Sequence, residues 1–159
     1  MVQQPTKNQQ QIILAIDIIT DDVWKYKLFK WLQPKSNIWR ELDDSDRLVG
    51  FIEDSNILGA LMFSDYDGNN IFVHLSLDDP RVCQRRYIKF MFNYCFVVAK
   101  CNRMTALCEN NYARNERLLH GVGFTKEGII RQGYCKNGKF VDGAVYGMLK
   151  HECKWIKGN

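Results

Sequence analysis

The spacing of apolar residues changes character several times along the chain, and each change predicts an element. Residues 11–19 form a β-branched run bounded by polar residues, which predicts a first strand. Thr20 then reads as a helix cap with Asp21 and Asp22 in the first turn, where carboxylates meet the positive end of the helix dipole. That helix is expected to bury Trp24, Leu28 and Trp31 and to end at Pro34. From Arg47 the period drops to two. Residues 47–53, 57–64 and 71–77 read as an antiparallel meander, turned at Asp54-Ser55-Asn56 and again within residues 65–70. After Pro80, residues 84–100 place Ile88, Met91, Phe92, Cys95 and Ala99 at helical spacing, the longest helix expected. A buried strand at 103–108 and a short helix at 113–120, closed by Gly121 and Gly123, follow. Two strands around the turn Lys136-Asn137-Gly138 complete the pattern, with a frayed end near Trp155.

This order predicts an α+β fold in which strands 71–77 and 104–108 are parallel neighbours, because a helix long enough for a crossover separates them. With 159 residues the chain suits one domain, residues 11–159, after a polar, Gln-rich lead-in at 1–10. Hydrophobic residues at 46% and charged residues at 25% exclude a disordered or fibrous chain. No apolar run approaches the ~20 residues of a membrane span. The six cysteines have no C-x-x-C spacing, and without a charged-then-apolar leader they are expected to be free thiols in the cytoplasm. No cluster has metal-ligand spacing, so no metal is expected. The net charge of +4 is too small to demand a nucleic-acid partner, but Arg81, Arg85 and Arg86 concentrate positive charge in one short segment.

The stretch Asn115-Glu-Arg-Leu-Leu-His-Gly-Val-Gly-Phe124, followed by Glu127-Gly128, Arg131, Asp142 and Tyr146-Gly-Met-Leu149, resembles the ending of the GCN5-related N-acetyltransferases. Within them it is most similar to the ribosomal-protein N-terminal acetyltransferases, and it also resembles short acetyltransferase-like proteins of tailed phages. The resemblance implies a mixed, mostly antiparallel sheet with one parallel, splayed strand pair and flanking helices. It further implies an enzyme that moves an acetyl group from acetyl-CoA to a primary amine of a protein, or of a modified nucleic acid, as a monomer or homodimer.

Family resemblance also assigns candidate residues. A general base on the fourth strand corresponds to His74, whose imidazole titrates near neutrality. Backbone N–H groups of Leu75, Ser76 and Leu77 are placed to polarise the thioester carbonyl. Tyr112 and Asn115 match the start of the helix that faces the thiol and the pantetheine arm, with Asn111 beside them. One departure is conspicuous. The family's glycine-rich pyrophosphate loop falls at Asp79-Pro-Arg-Val-Cys-Gln84, where Val82 and Gln84 replace glycines. Arg81, Gln84, Arg85 and Arg86 are then the groups that would hold the phosphates at a helix N-terminus. The loss of the loop leaves a second reading open: a binding module for a protein or nucleic acid that keeps the fold without turnover. Residue type alone also allows His74 to be a packed histidine among Phe72, Val73 and Leu75.

Overall fold

The computed structural model describes residues 16–156. The lead-in and the start of the first expected strand lie outside the described residues. The remainder of that strand is β1 (Asp17–Ile19). It leads into α1 (Asp22–Leu32), whose N-cap is Asp21 rather than Thr20. Asp21 has extended backbone and its carboxylate accepts the Trp24 N–H at 3.3 Å, the geometry of a side-chain cap. The buried face of α1 is Leu28, Phe29 and Leu32, shifted from the expected Trp24, Leu28 and Trp31. Both tryptophans stay half-buried because each supports a lysine, Lys27 over Trp24 and Lys35 over Trp31.

β2 (Arg47–Glu53), β3 (Asn56–Ser64) and β4 (Asn70–Leu77) form the expected meander. Asp54 and Ser55 both have positive φ, so β2 and β3 are joined by a two-residue turn of the type whose twist matches a hairpin. A 3₁₀ turn at Pro80–Cys83 precedes α2 (Arg85–Asn93), which continues through one π turn at Tyr94–Val98. The long helix is therefore present with a widened last turn. β5 (Arg103–Glu109) and α3 (Ala113–Val122) follow, and β6 (Thr125–Lys136) and β7 (Lys139–Leu149) pair across Asn137 and Gly138 at φ 51 and 75.

The seven strands make one sheet in the order β1-β2-β3-β4-β5-β7-β6. All neighbours are antiparallel except β4 and β5. α2 and α3 pack on one face, burying Val73, Phe92, Phe96, Leu119 and Phe124, while α1 packs on the other against Ala60 and Met62. Each large apolar side chain so buried contributes ~1.5–3 kcal/mol. Side chains alternate along β4, so Leu75 and Leu77 join the α2 face and His74 points to the α1 face.

The segments that carry the family resemblance act as structural punctuation. Gly123, at φ 109, closes α3: its N–H donates to the His120 carbonyl and that of Phe124 to the Leu119 carbonyl, a pairing that requires left-handed backbone. Glu127 binds Arg103 at 2.5 Å, and Asp142 accepts the Gln132 N–H within the bulge of β6. The segment around Trp155 is docked rather than frayed. Trp155 stacks on Phe92 with ring centres 6.3 Å apart and donates from Nε1 to the Val122 carbonyl at 2.8 Å.

Candidate active site

β4 and β5 pair over only four residues, Asn70–Val73 with Arg103–Ala106. β4 stays paired with β3 as far as Leu77, and β5 with β7 as far as Glu109. The two strands therefore splay beyond Val73 and Ala106 while each remains anchored on its outer side. The resulting cleft is open, with a volume of about 550 Å³. Residues 34–37 of the loop after α1 and residues 134–137 of the β6–β7 hairpin border it, and the start of α3 and Cys83 close its other rim.

The backbone of β4 explains which groups line the split. Ser36 Oγ donates to the Leu75 carbonyl at 2.8 Å, and an Arg114 Nη reaches the Leu77 carbonyl at 3.5 Å. A strand residue presents its N–H and C=O on the same side, so Leu75 and Leu77 turn their peptide groups into the cleft and Ser76 turns its own toward β3. The Ser76 hydroxyl donates to Asp78 at 2.7 Å.

His74, Leu75, Ser76, Leu77, Tyr112 and Asn115 all line this one cleft. Arg81, Gln84, Arg85, Arg86 and Asn111 are not among its lining residues. Arg81 is committed elsewhere, to Glu53 at 2.6 Å and Asp79 at 2.9 Å. Arg85 lies over Trp155, 5.9 Å from the ring centre, and Arg86 over Tyr87 at 4.4 Å. Gln84 caps α2 without a side-chain bond, leaving the first N–H groups of the helix without intrahelical acceptors. Asn111 is exposed in left-handed backbone just before α3.

The sequence reading missed a cation that lines the cleft beside the end of β4. Arg114, in the first turn of α3, spans from that helix to the end of β4. Its neighbour Tyr112 marks the helix start, but nothing local says that this start faces β4. Other charges at the rim are matched: Lys35 binds Asp78 at 2.7 Å, and Lys136 binds Glu109 at 2.9 Å while lying over the Tyr112 ring at 4.9 Å.

Several titratable groups in the cleft have displaced pKa values, and two bear on its chemistry. Burial, reinforced by the Arg40 guanidinium, holds the His74 imidazole below its usual value, so the ring is neutral at pH 7. Burial pushes the Cys108 thiol up to about 11, so it stays protonated and is a poor nucleophile. None of the six cysteines forms a disulfide. On the helix side, Leu75, Leu77, Leu118 and Leu119 separate the cleft from a second, apolar cavity of about 30 Å³. The site thus combines an apolar floor and a cation on one face with a neutral imidazole on the other.

A sheet split between the one parallel pair among the described residues, with a helix starting at the split, matches the fold of the GCN5-related N-acetyltransferases. Among solved structures, the spermidine/spermine N-acetyltransferase SpeG from Vibrio cholerae in mutant form superposes with a TM-score of 0.71 at 13% identity, covering 86% of this chain and 95% of that one. The same enzyme in complex with CoA and spermine matches with a TM-score of 0.68 at 13% identity, over 87% and 97% of the two chains. A probable acetyltransferase matches with a TM-score of 0.61 at 16% identity, over 82% and 74%. No family model and no curated protein matches the chain.

Proposed function

We propose that the protein is an acetyl-CoA-dependent N-acetyltransferase. The observation that carries the reading is the open split between β4 and β5, with inward-facing peptide groups at Leu75 and Leu77 on one wall and a neutral His74 on the opposite face. The apolar floor suits a pantetheine arm, and Arg114 with the free N–H groups at the start of α2 suits a diphosphate. Arg85 and Arg86 border that helix start and are the remaining phosphate candidates. In the transfer, the acceptor amine loses a proton to His74 and attacks the thioester carbon. The C–S bond breaks, the carbonyl oxygen being polarised by backbone N–H groups, and the departing thiolate takes a proton from Tyr112. Asn115 and Asn111 would hydrogen-bond the donor's amides.

For the acceptor, the charges lining the cleft are Lys35, Arg114 and Lys136 against Glu109. This balance favours an amine on a neutral or acidic body, such as a protein terminus, over a polycation such as the spermine seen with SpeG. The sequence resemblance to the ribosomal-protein acetyltransferases supports the same choice.

Calorimetric titration with acetyl-CoA tests the reading. Micromolar binding is expected, and Arg114→Ala removes one charge-assisted contact, ~1.5–3 kcal/mol or about 10–150-fold in Kd. Absence of binding at millimolar acetyl-CoA would overturn it. That result would favour the non-catalytic binding module, which the engagement of Arg81 by Glu53 and Asp79 and the missing glycine loop support.

A further inference from the structure

A histidine acting as base needs one ring nitrogen with a lone pair and the other fixed, and the surroundings of His74 determine which is which. Ser64, at the end of β3, is 2% exposed. Its hydroxyl donates to Asp65 Oδ2 at 2.8 Å, and a carboxylate at that position can only accept. The same Oγ lies 3.1 Å from His74 Nε2. A serine has one hydroxyl hydrogen, so with that hydrogen on Asp65 the ring must be the donor in the second contact. Nε2 therefore carries the proton and Nδ1 the lone pair.

The backbone is shaped for this chain of bonds. Asp65 has φ 53, a left-handed conformation uncommon outside glycine, tolerated best by Asp and Asn. It folds the carboxylate back onto the hydroxyl of the residue before it. The charged groups that act on the ring are Arg40 and Asp46 from the loop after α1 and Asp65 from the end of β3. Arg40 is held in place by a bidentate pair with Asp46, both contacts at 2.7 Å, and opposes a second proton on the imidazole.

We propose that Ser64 and Asp65 are positioning residues that fix His74 as the Nε2–H tautomer, so that Nδ1 receives the proton of the acceptor amine. This rests on the reading of His74 as the base in the proposed transfer. The proton leaves the amine nitrogen as its bond to the acetyl carbon forms, the ring becomes an imidazolium bonded through Ser64 to Asp65, and Nδ1 returns the proton to water after the product departs. Asp65 stabilises that positive charge without taking the proton.

The test is ¹⁵N NMR of the histidine rings, with the His74 signals assigned by their loss in His74→Gln. At neutral pH, Nε2 is expected in the pyrrole-like range and Nδ1 in the pyridine-like range. Asp65→Gly keeps the left-handed backbone and frees the Ser64 hydroxyl to donate to Nε2, so the pattern should move toward Nδ1–H. Asp65→Asn, whose Oδ1 still accepts, should restore it. In parallel, kcat should fall about tenfold in Asp65→Gly, with acetyl-CoA affinity unchanged, and recover in Asp65→Asn. A pyridine-like Nε2 in the unaltered protein, or a tautomer indifferent to Asp65→Gly, overturns the proposal. The spectra are read without substrate, so a wrong tautomer refutes this inference with acetyl-CoA binding intact, and absent binding refutes the cleft reading with the tautomer intact.

Discussion

Replacing Arg40 by methionine would strip a buried carboxylate of its main partner. Asp46 is 1% exposed and receives both guanidinium nitrogens at 2.7 Å, with the Asp43 N–H as a third donor at 2.8 Å. Removing one side of a buried pair costs ~3–5 kcal/mol, because the remaining charge is left without compensation. The Arg40 side chain is itself 39% exposed, so water reaches the vacated side and the loss falls to ~2–3 kcal/mol. For a chain of this size that corresponds to a fall in Tm of about 4–12 °C. Urea unfolding followed by circular dichroism measures the loss, and Arg40→Met/Asp46→Asn should recover part of it by removing the stranded charge. A loss below ~0.5 kcal/mol would mean that the pair behaves as a surface ion pair and would refute the reasoning. The same substitution removes the cation that opposes protonation of His74, so the imidazole titration should move to higher pH. Movement to lower pH would contradict the assigned cause.

Gly123→Ala places a side chain on backbone at φ 109, with its Cβ 3.2 Å from the Met148 methyl, and should cost ~1–2 kcal/mol, read as a lower urea midpoint with unchanged slope. His74 supplies a pH signature of its own. Its folded pKa lies below the unfolded value of 6.5, so the unfolded chain binds more protons between those two values, and stability is lost as pH falls through that window. Subtracting the stability curve of His74→Gln from that of the unaltered protein should isolate this loss. A difference that shrinks with rising pH would show the sign to be wrong.

Local chemistry made much of the fold legible. Asp54-Ser55 and Asn137-Gly138 announce hairpins because few residues accept positive φ, and the apolar spacing of residues 84–100 marks a helix whatever it packs on. Asp21 took the cap expected of Thr20 because both residue types cap, and only the backbone geometry decides between neighbours. What the sequence could not convey was pairing at a distance. The insertion of β7 between β5 and β6, the capture of Arg81 by Glu53 and the approach of Arg114 to Leu77 all depend on strand register and helix placement. His74 was visible as a titratable residue on a strand, but its bond to Ser64 needs residues ten apart brought together across a hairpin. The Gly-Phe and Glu-Gly signals identified the fold through its caps and ion pairs, which is why they said little about the arginines.

The short seam between β4 and β5 has a mechanical consequence. Among the described residues, four residue pairs make the only strand pairing between the β1–β4 part of the sheet and the β5–β7 part. A molecule lodged in the split and touching both walls would act as a rivet across a tear, raising the free energy of opening by its own binding energy. Amides along the seam would then exchange with solvent more slowly in the ligand's presence, while those of the distant β1–β2 edge would not change. The sheet is thus discontinuous along one line, while the core packed on its α2 face runs unbroken beneath it.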